Sequence, residues 1–313
     1  MEYELYNGEV KVKFQPNPYH RYYVTDPKHE LAGQYTRGVT TYIGIKDKSR
    51  ALCIWATETA AQYLIDQLNE GREITQDDVI QSMSLYNQKR DDAADIGTKI
   101  HDWCEYFIKH KLGQEGYEKQ PELPEFTENK SVYLGAVAFL EWVTAHEVEF
   151  IASEQIVYDR DEKYIGTADI IAKVDGRLAL IDLKSSSGLY NPVRLQTAAY
   201  AMAYMKEYPE QIILDRWAIR LAKEDEQEYY EREERKCYIR GKDVNNIKEY
   251  TPVEWIKFEG QEAMAQDYEA FLAAKTLFEW DNETDFYKNR KTIEICRPST
   301  KQSSSETSQE TQS

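Results

Sequence analysis

The stretch from Tyr164 to Tyr200, YIGTADIIAKVDGRLALIDLKSSSGLYNPVRLQTAAY, constrains the fold more than any other part of the chain. Ile165 to Val174 is apolar and rich in β-branched residues, Asp175-Gly176 is a two-residue hairpin signal, and Leu178 to Leu183 is a second apolar run. Pro192 fits the first position of a helix that carries Leu195, Ala199 and Met202 on one side. The order is strand, turn, strand, loop, helix. The charges inside it need a reason. Asp169 interrupts the first apolar run, and Asp182 and Lys184 interrupt the end of the second. Alternation along a strand puts Asp182 and Lys184 on one face, beside Asp169 if the register allows. Two acids and a lysine in one pocket repel or stay unpaired unless a divalent cation sits between the acids.

A chain of 313 residues suits one large or two small domains. Its apolar content of 41%, with 24 Tyr and 6 Trp, is that of a folded globule. No apolar run approaches a membrane span, and MEYELYNGEV lacks the basic and apolar regions of a signal peptide, so the expectation is a soluble, cytoplasmic protein with no membrane partner. Cys53, Cys104, Cys237 and Cys296 are scattered without CxxC spacing, as reduced thiols would be. The net charge of −17 argues against a broadly basic nucleic-acid binder. Net charge does not fix the sign of one groove, however. The acids crowd into Glu224 to Glu234 and Asp281 to Asp285, whereas Arg37, Lys46, Lys48, Arg50, Lys99, Lys163 and Arg194 lie near the charged motifs.

Along the chain, residues 1 to 36 read as strands or extended chain wrapping the core, and Arg37 to Ile45 as a turn into a short apolar segment. Helices are expected over Ser49 to Leu68, over Thr75 to Gln88 with Thr75 as N-cap, and from a cap at Asp95 or Thr98 to about Lys111. Gln120 to Lys130 reads as a loop, Ser131 to Ala145 as a helix and Glu149 to Tyr158 as a strand. Ile212 to Ala222 alternates as a strand with which Cys237 to Arg240 would pair, and Thr251 to Trp280 reads as one long helix. Ser299 to Ser313 is of low complexity and should be disordered. The expected organisation is a wrapping and helical segment (1–90), a core with its C-terminal helix (91–298) and a tail (299–313).

Together these residues resemble a known family. GTAD ending at Asp169, IDLK ending at Lys184, and the QxxxY pair Gln196 and Tyr200 are similar to the motifs of RecB-like PD-(D/E)XK nucleases. Gly97-Thr98-Lys99-Ile100-His101 is similar to the GTxxH helix start of that group, and RGVTTYIG (Arg37 to Gly44) with Asp47-Lys48 and Trp55-Ala56 resembles the N-terminal segment of its phage-type exonucleases. The matching segments span roughly residues 37 to 200. The resemblance implies an α/β, restriction-endonuclease-like core, a mixed β-sheet flanked by helices, with a helical N-terminal part. It also implies a metal-dependent deoxyribonuclease acting in phage recombination, replication or DNA processing, in the host cytoplasm if phage-encoded.

Phosphodiester hydrolysis needs charge stabilisation on the phosphate and an activated water, and a carboxylate-held Mg²⁺ or Mn²⁺ supplies both. Asp169 and Asp182 are the expected ligands, with the Leu183 carbonyl a third by resemblance. His101 would be a further ligand, inclining the site to Mn²⁺. Lys184 would orient or deprotonate water, Gln196 and Tyr200 would hold the phosphate or the lysine, and Glu154 would be an outer acid able to bind a second metal. Each residue also has a plainer reading: a strand-end ion pair, a core histidine, a helix face packed on the sheet, a solvated strand residue. Some relatives carry an iron–sulfur cluster on one early and three late clustered cysteines; this chain lacks the late cluster, so none is expected. There is no GxxxxGK[ST] loop, so any unwinding would come from a partner. Besides DNA, a single-strand annealing or replication protein is an expected partner, and an oligomer is compatible with the sequence. The competing readings are a non-catalytic DNA-binding or assembly module, and a nuclease acting on RNA or structured DNA ends.

Overall fold

The hairpin around Asp175-Gly176 forms as expected, because both residues take the positive φ of a tight two-residue turn (52° and 76°). The computed structural model that shows this describes residues 1–16 and 20–283. In chain order, β1 (Glu2–Leu5), β2 (Val10–Gln15), β3 (Arg21–Asp26) and β4 (Leu31–Thr36) form an antiparallel four-stranded sheet. Four helices follow: α1 (Val39–Ile43), α2 (Ser49–Asn69), α3 (Gln76–Lys111) and α4 (Phe126–Ala145). Then come β5 (Val148–Asp159), β6 (Tyr164–Val174), β7 (Arg177–Lys184), α5 (Pro192–Glu207), β8 (Asp215–Leu221), α6 (Glu226–Arg240), β9 (Val253–Glu259) and α7 (Gln261–Glu283).

Strands β5 to β9 make a second sheet in sequence order. It is mixed: β7 and β8 are parallel, joined through α5, and the other neighbours are antiparallel. One face carries Ile170, Ile181 and Ile219 against Ile100, Phe139 and Trp142 of α3 and α4. The other carries Ile171 and Leu180 against Ala199 and Tyr204 of α5 and Phe271 of α7. The N-terminal sheet lays Leu5, Val10, Val12 and Val24 on Ile156, Tyr158 and Ile165, a third apolar layer. Among the described residues no helix is long and apolar enough to cross a membrane.

The structure differs from the sequence reading at five places. The strands expected in residues 1–36 do form and pair into a sheet, but Arg37 to Ile45 contains the short helix α1 rather than only a turn into an apolar segment. The two helices expected between Thr75 and Lys111 are one. Thr75 does cap it, in a reciprocal box with Asp78, but nothing between Lys89 and Thr98 stops it. Ala93 and Ala94 favour the helix, Asp95 pairs with Lys99 one turn on (2.7 Å), and no proline intervenes. His101 therefore sits deep in a long helix, not near a helix start. α4 begins earlier than expected, with Asn129 out of helical geometry inside it. Cys237 to Arg240 end the helix α6 instead of pairing with β8; the partner of β8 is β9, whose alternating VEWIKFE lies inside the span expected as one long helix. Gly260, at φ 85°, separates that strand from α7. Cys53, Cys104 and Cys237 are free thiols, Cys104 being buried. The tail 299–313 and Cys296 lie outside the described residues.

Candidate metal centre

Three acids line up across three neighbouring strands. The register that pairs Ser153 with Ile170 and Gln155 with Ala168 sets Glu154 opposite Asp169. The β6–β7 ladder ends at Ile170 opposite Ile181, and just beyond it Asp169 meets the backbone of Leu183, next to Asp182. The strands are irregular at this row. Glu154 takes φ 51° inside β5, a conformation that costs a non-glycine residue about 1–3 kcal/mol. On β6 the alternation of faces reverses: Ala168 packs with the α5 layer, whereas Ile170 and Ala172 pack with α3 and α4. Asp169 thereby turns toward α3.

His101, Glu154 and Asp169 consequently each offer one ligand atom, all within 4.8 Å of one another. The His101 Nδ1 lies 4.0 Å from Asp169 Oδ2. That carboxylate oxygen also accepts a hydrogen bond of 2.7 Å from the Leu183 backbone N–H. Leu183 thus meets the site through its amide. Of the expected ligands His101, Glu154, Asp169, Asp182 and the Leu183 carbonyl, the structure brings His101, Glu154 and Asp169 together as one trio, with Asp182 beside it and acting electrostatically on the same cluster.

Asp182 faces α5 and is buried, with 1% of its surface exposed. Lys184 Nζ lies 2.7 Å from its Oδ2, yet neither carboxylate oxygen accepts a well-aligned hydrogen bond. Lys184 in turn donates to Gln196 Oε1 (3.2 Å), and Gln196 Nε2 donates to the Tyr200 hydroxyl (3.4 Å). Gln196 and Tyr200 share a face of α5 as their spacing required. Two rows result, one on each side of the sheet end, joined where Asp169 meets the Leu183 amide.

Burial dominates the electrostatics. It pushes the Glu154 carboxyl up to about 8, with the charge of Asp169 adding to the effect. It raises Asp182 to about 6, Lys184 opposing it and Asp169 reinforcing it. Burial works against the Lys184 ammonium, but the charges of Asp182 and Asp169 outweigh it and hold its pKa above the ordinary lysine value. Burial also lifts Tyr200 far above the usual phenol range, so its hydroxyl stays neutral.

Three features around the site escaped the sequence reading. Glu105 and Lys109 form an ion pair on the His101 face of α3, and their charges act on Glu154. The spacing 101, 105, 109 was the available signal. The Tyr22 hydroxyl lies 2.8 Å from Thr167 Oγ1, tying the N-terminal sheet to the strand of Asp169. Gly166 is required by a close approach: a Cβ there would sit 2.3 Å from Tyr200 Cε1. Gly166→Ala is expected to cost about 1–3 kcal/mol by overpacking, read as a lower urea midpoint. Of the basic residues near the motifs, Lys99 is paired with Asp95, Arg194 with Asp267, and Arg37 lies over Phe278.

No protein-family model matches the chain, and no curated protein matches it.

Proposed function

We propose that this chain is a divalent-metal-dependent DNA nuclease of the RecB-like PD-(D/E)XK group, built on a restriction-endonuclease-like core and acting as an exonuclease in phage recombination, replication or DNA processing. The observation that carries the reading is the convergence at one sheet end of His101, Glu154 and Asp169 on the α3 side and of Asp182 with Lys184 on the α5 side. The mixed order of β5 to β9 with its parallel β7–α5–β8 crossover is consistent with that core.

The donor set fits a hard divalent cation. His101, Glu154 and Asp169 would hold it, and the two buried Asp182 oxygens without an aligned donor suit a cation close by. One imidazole among carboxylates favours Mn²⁺ alongside Mg²⁺. A bound cation would supply Lewis-acid stabilisation of the phosphate and acidify a water. The chain's own residues do the rest. Lys184, protonated beside Asp182, places a positive charge for an incoming phosphate oxygen. Gln196 fixes the direction of that ammonium, and the neutral Tyr200 hydroxyl, packed on Gly166, fixes Gln196. The Leu183 amide holds the Asp169 carboxylate toward α3.

The test is digestion of end-labelled linear and covalently closed circular DNA with Mg²⁺, Mn²⁺ or EDTA. Linear DNA is expected to be lost only with metal, and both Asp182→Ala and Lys184→Ala should prevent it. Cleaved circles would change the assignment to an endonuclease. Inert wild type that still binds DNA or a partner would transfer the case to a non-catalytic module.

A further inference from the structure

Strand β9 is one edge of the second sheet, and it lacks the devices that close an edge to further pairing. All of its residues pair with β8 in unbroken register, from Val253 opposite Leu221 to Glu259 opposite Asp215. It contains no proline and no residue at positive φ. The opposite edge, β5, is different: its register shifts between Phe150 and Ala152, and Glu154 takes φ 51°. Among the described residues, no backbone group outside β8 bonds to the β9 main chain.

The charges of β9 are turned back on its own sheet. Glu254 pairs with Arg220 (3.0 Å), and Lys257 lies 3.3 Å from Asp215 and 2.7 Å from Glu259. The lysine that could guard the edge is therefore engaged. Trp255 and Ile256, neighbours on opposite faces, are each 41% exposed, whereas every residue of the interior strand β8 is buried. Apolar residues open on both faces are what a strand shows when it has a neighbour on one side only.

Two copies of one strand pair antiparallel about a two-fold axis that passes between the copies of a single residue. Centred on Ile256, the pairing overlaps all seven residues of β9. Ile256 then meets its own copy, Trp255 meets Lys257, Glu254 meets Phe258, and Val253 meets Glu259. No like charges stand opposite one another, and the Trp255 ring faces a cation. Either neighbouring axis shortens the ladder, and the one at Lys257 opposes two lysines. The strand is complementary to itself in the register that overlaps most.

We infer that β9 pairs antiparallel with β9 of a second copy about Ile256, joining two sheets into one. The inference does not rest on the nuclease reading, since β8 separates β9 from β7 and the metal centre lies beyond it. A ladder of this length is a small contact, so the dimer should form in the micromolar range.

The experiment is sedimentation equilibrium of the full chain from about 1 to 100 µM, without DNA or metal. Wild type should pass from monomer to dimer across that range. Ile256→Lys, which sets like charges at the axis, should weaken the dimer Kd by about tenfold or more with its thermal melt preserved. Ile256→Val should dimerise as wild type. Mild oxidation of Ile256→Cys should give a disulfide-linked dimer, because directly opposite Cβ atoms lie about 5 Å apart. Val253→Cys should not, its two copies being about 20 Å apart along the ladder. Wild type that stays monomeric throughout would overturn the inference. So would a dimer that tolerates Ile256→Lys or links equally well through Val253→Cys. Closure of Ile256→Cys on Cys296 of its own chain would overturn it too, and would assign the edge to residues 284–313.

Discussion

Asp169→Asn lowers metal-dependent DNA cleavage by roughly 10³-fold if the proposed site is correct, an effect of about 4 kcal/mol on the barrier. The substitution is a narrow one. An asparagine Oδ1 still accepts the Leu183 N–H, so the junction between β6 and β7 keeps its hydrogen bond. What disappears is the one formal charge shared by both rows, the group that meets His101 and Glu154 and acts electrically on Asp182 and Lys184. Calorimetric titration with Mn²⁺ should show weakened binding in the same variant. Lys184→Ala should behave differently, losing cleavage while retaining most of the Mn²⁺ affinity, because Lys184 lies with Asp182 and Gln196 and not in the donor trio. Wild-type turnover by Asp169→Asn would remove the site from consideration. Equal loss of metal affinity in both variants would mean that the two rows act as one.

The hairpin and α5 were legible because local chemistry fixes them: a positive-φ pair at Asp175-Gly176, a proline at the start of a helix, and apolar strands on both sides. The identities of the site residues were legible for the same reason, since charges inside β-branched runs stand out. Which side of the sheet end each one takes was not. Strict alternation places Asp169 with Asp182, and nothing in the sequence announces that β6 changes face at Asp169 or that Glu154 leaves the extended region opposite it. At the same sheet end α3 brings His101 within 4.0 Å of Asp169. Glu154 gained most from the structure. Read from sequence it passes for a solvated strand residue, but its neighbours Asp169, Glu105 and Asp102 are contributed by two other elements that sequence distance hides. The long helix α3 reads as two because Asp95 and Thr98 look like N-caps; between them the bare Cα of Gly97 admits Ser185, just past the end of β7, whose Oγ would lie 2.6 Å from a Cβ.

Glu154→Gln should stabilise the metal-free protein above neutral pH, by up to about 5 kcal/mol around pH 9. The sign follows from proton counting. Burial and Asp169 raise the folded-state pKa of Glu154 from 4.5 to about 8, so between those values the native state holds a proton that the unfolded chain has released. Unfolding free energy therefore falls as pH rises through that window and levels off above it. Asp182, raised from 3.8 to about 6, adds a loss of the same sign at lower pH. Glutamine keeps the shape and the backbone conformation but has no proton to lose, so the variant's urea midpoint should lie above that of wild type at alkaline pH and near it around pH 4, where both side chains are neutral. Divalent metal supplies the counter-test. In wild type, Mn²⁺ should raise the alkaline melting temperature by binding only the native state. In Glu154→Gln the starting stability is higher and the increment with Mn²⁺ smaller, because the crowded acid that needed the cation has gone. A variant less stable than wild type at alkaline pH would show that the Glu154 carboxylate is held by favourable contacts in the fold, and the strain at φ 51° would then serve packing rather than a cation.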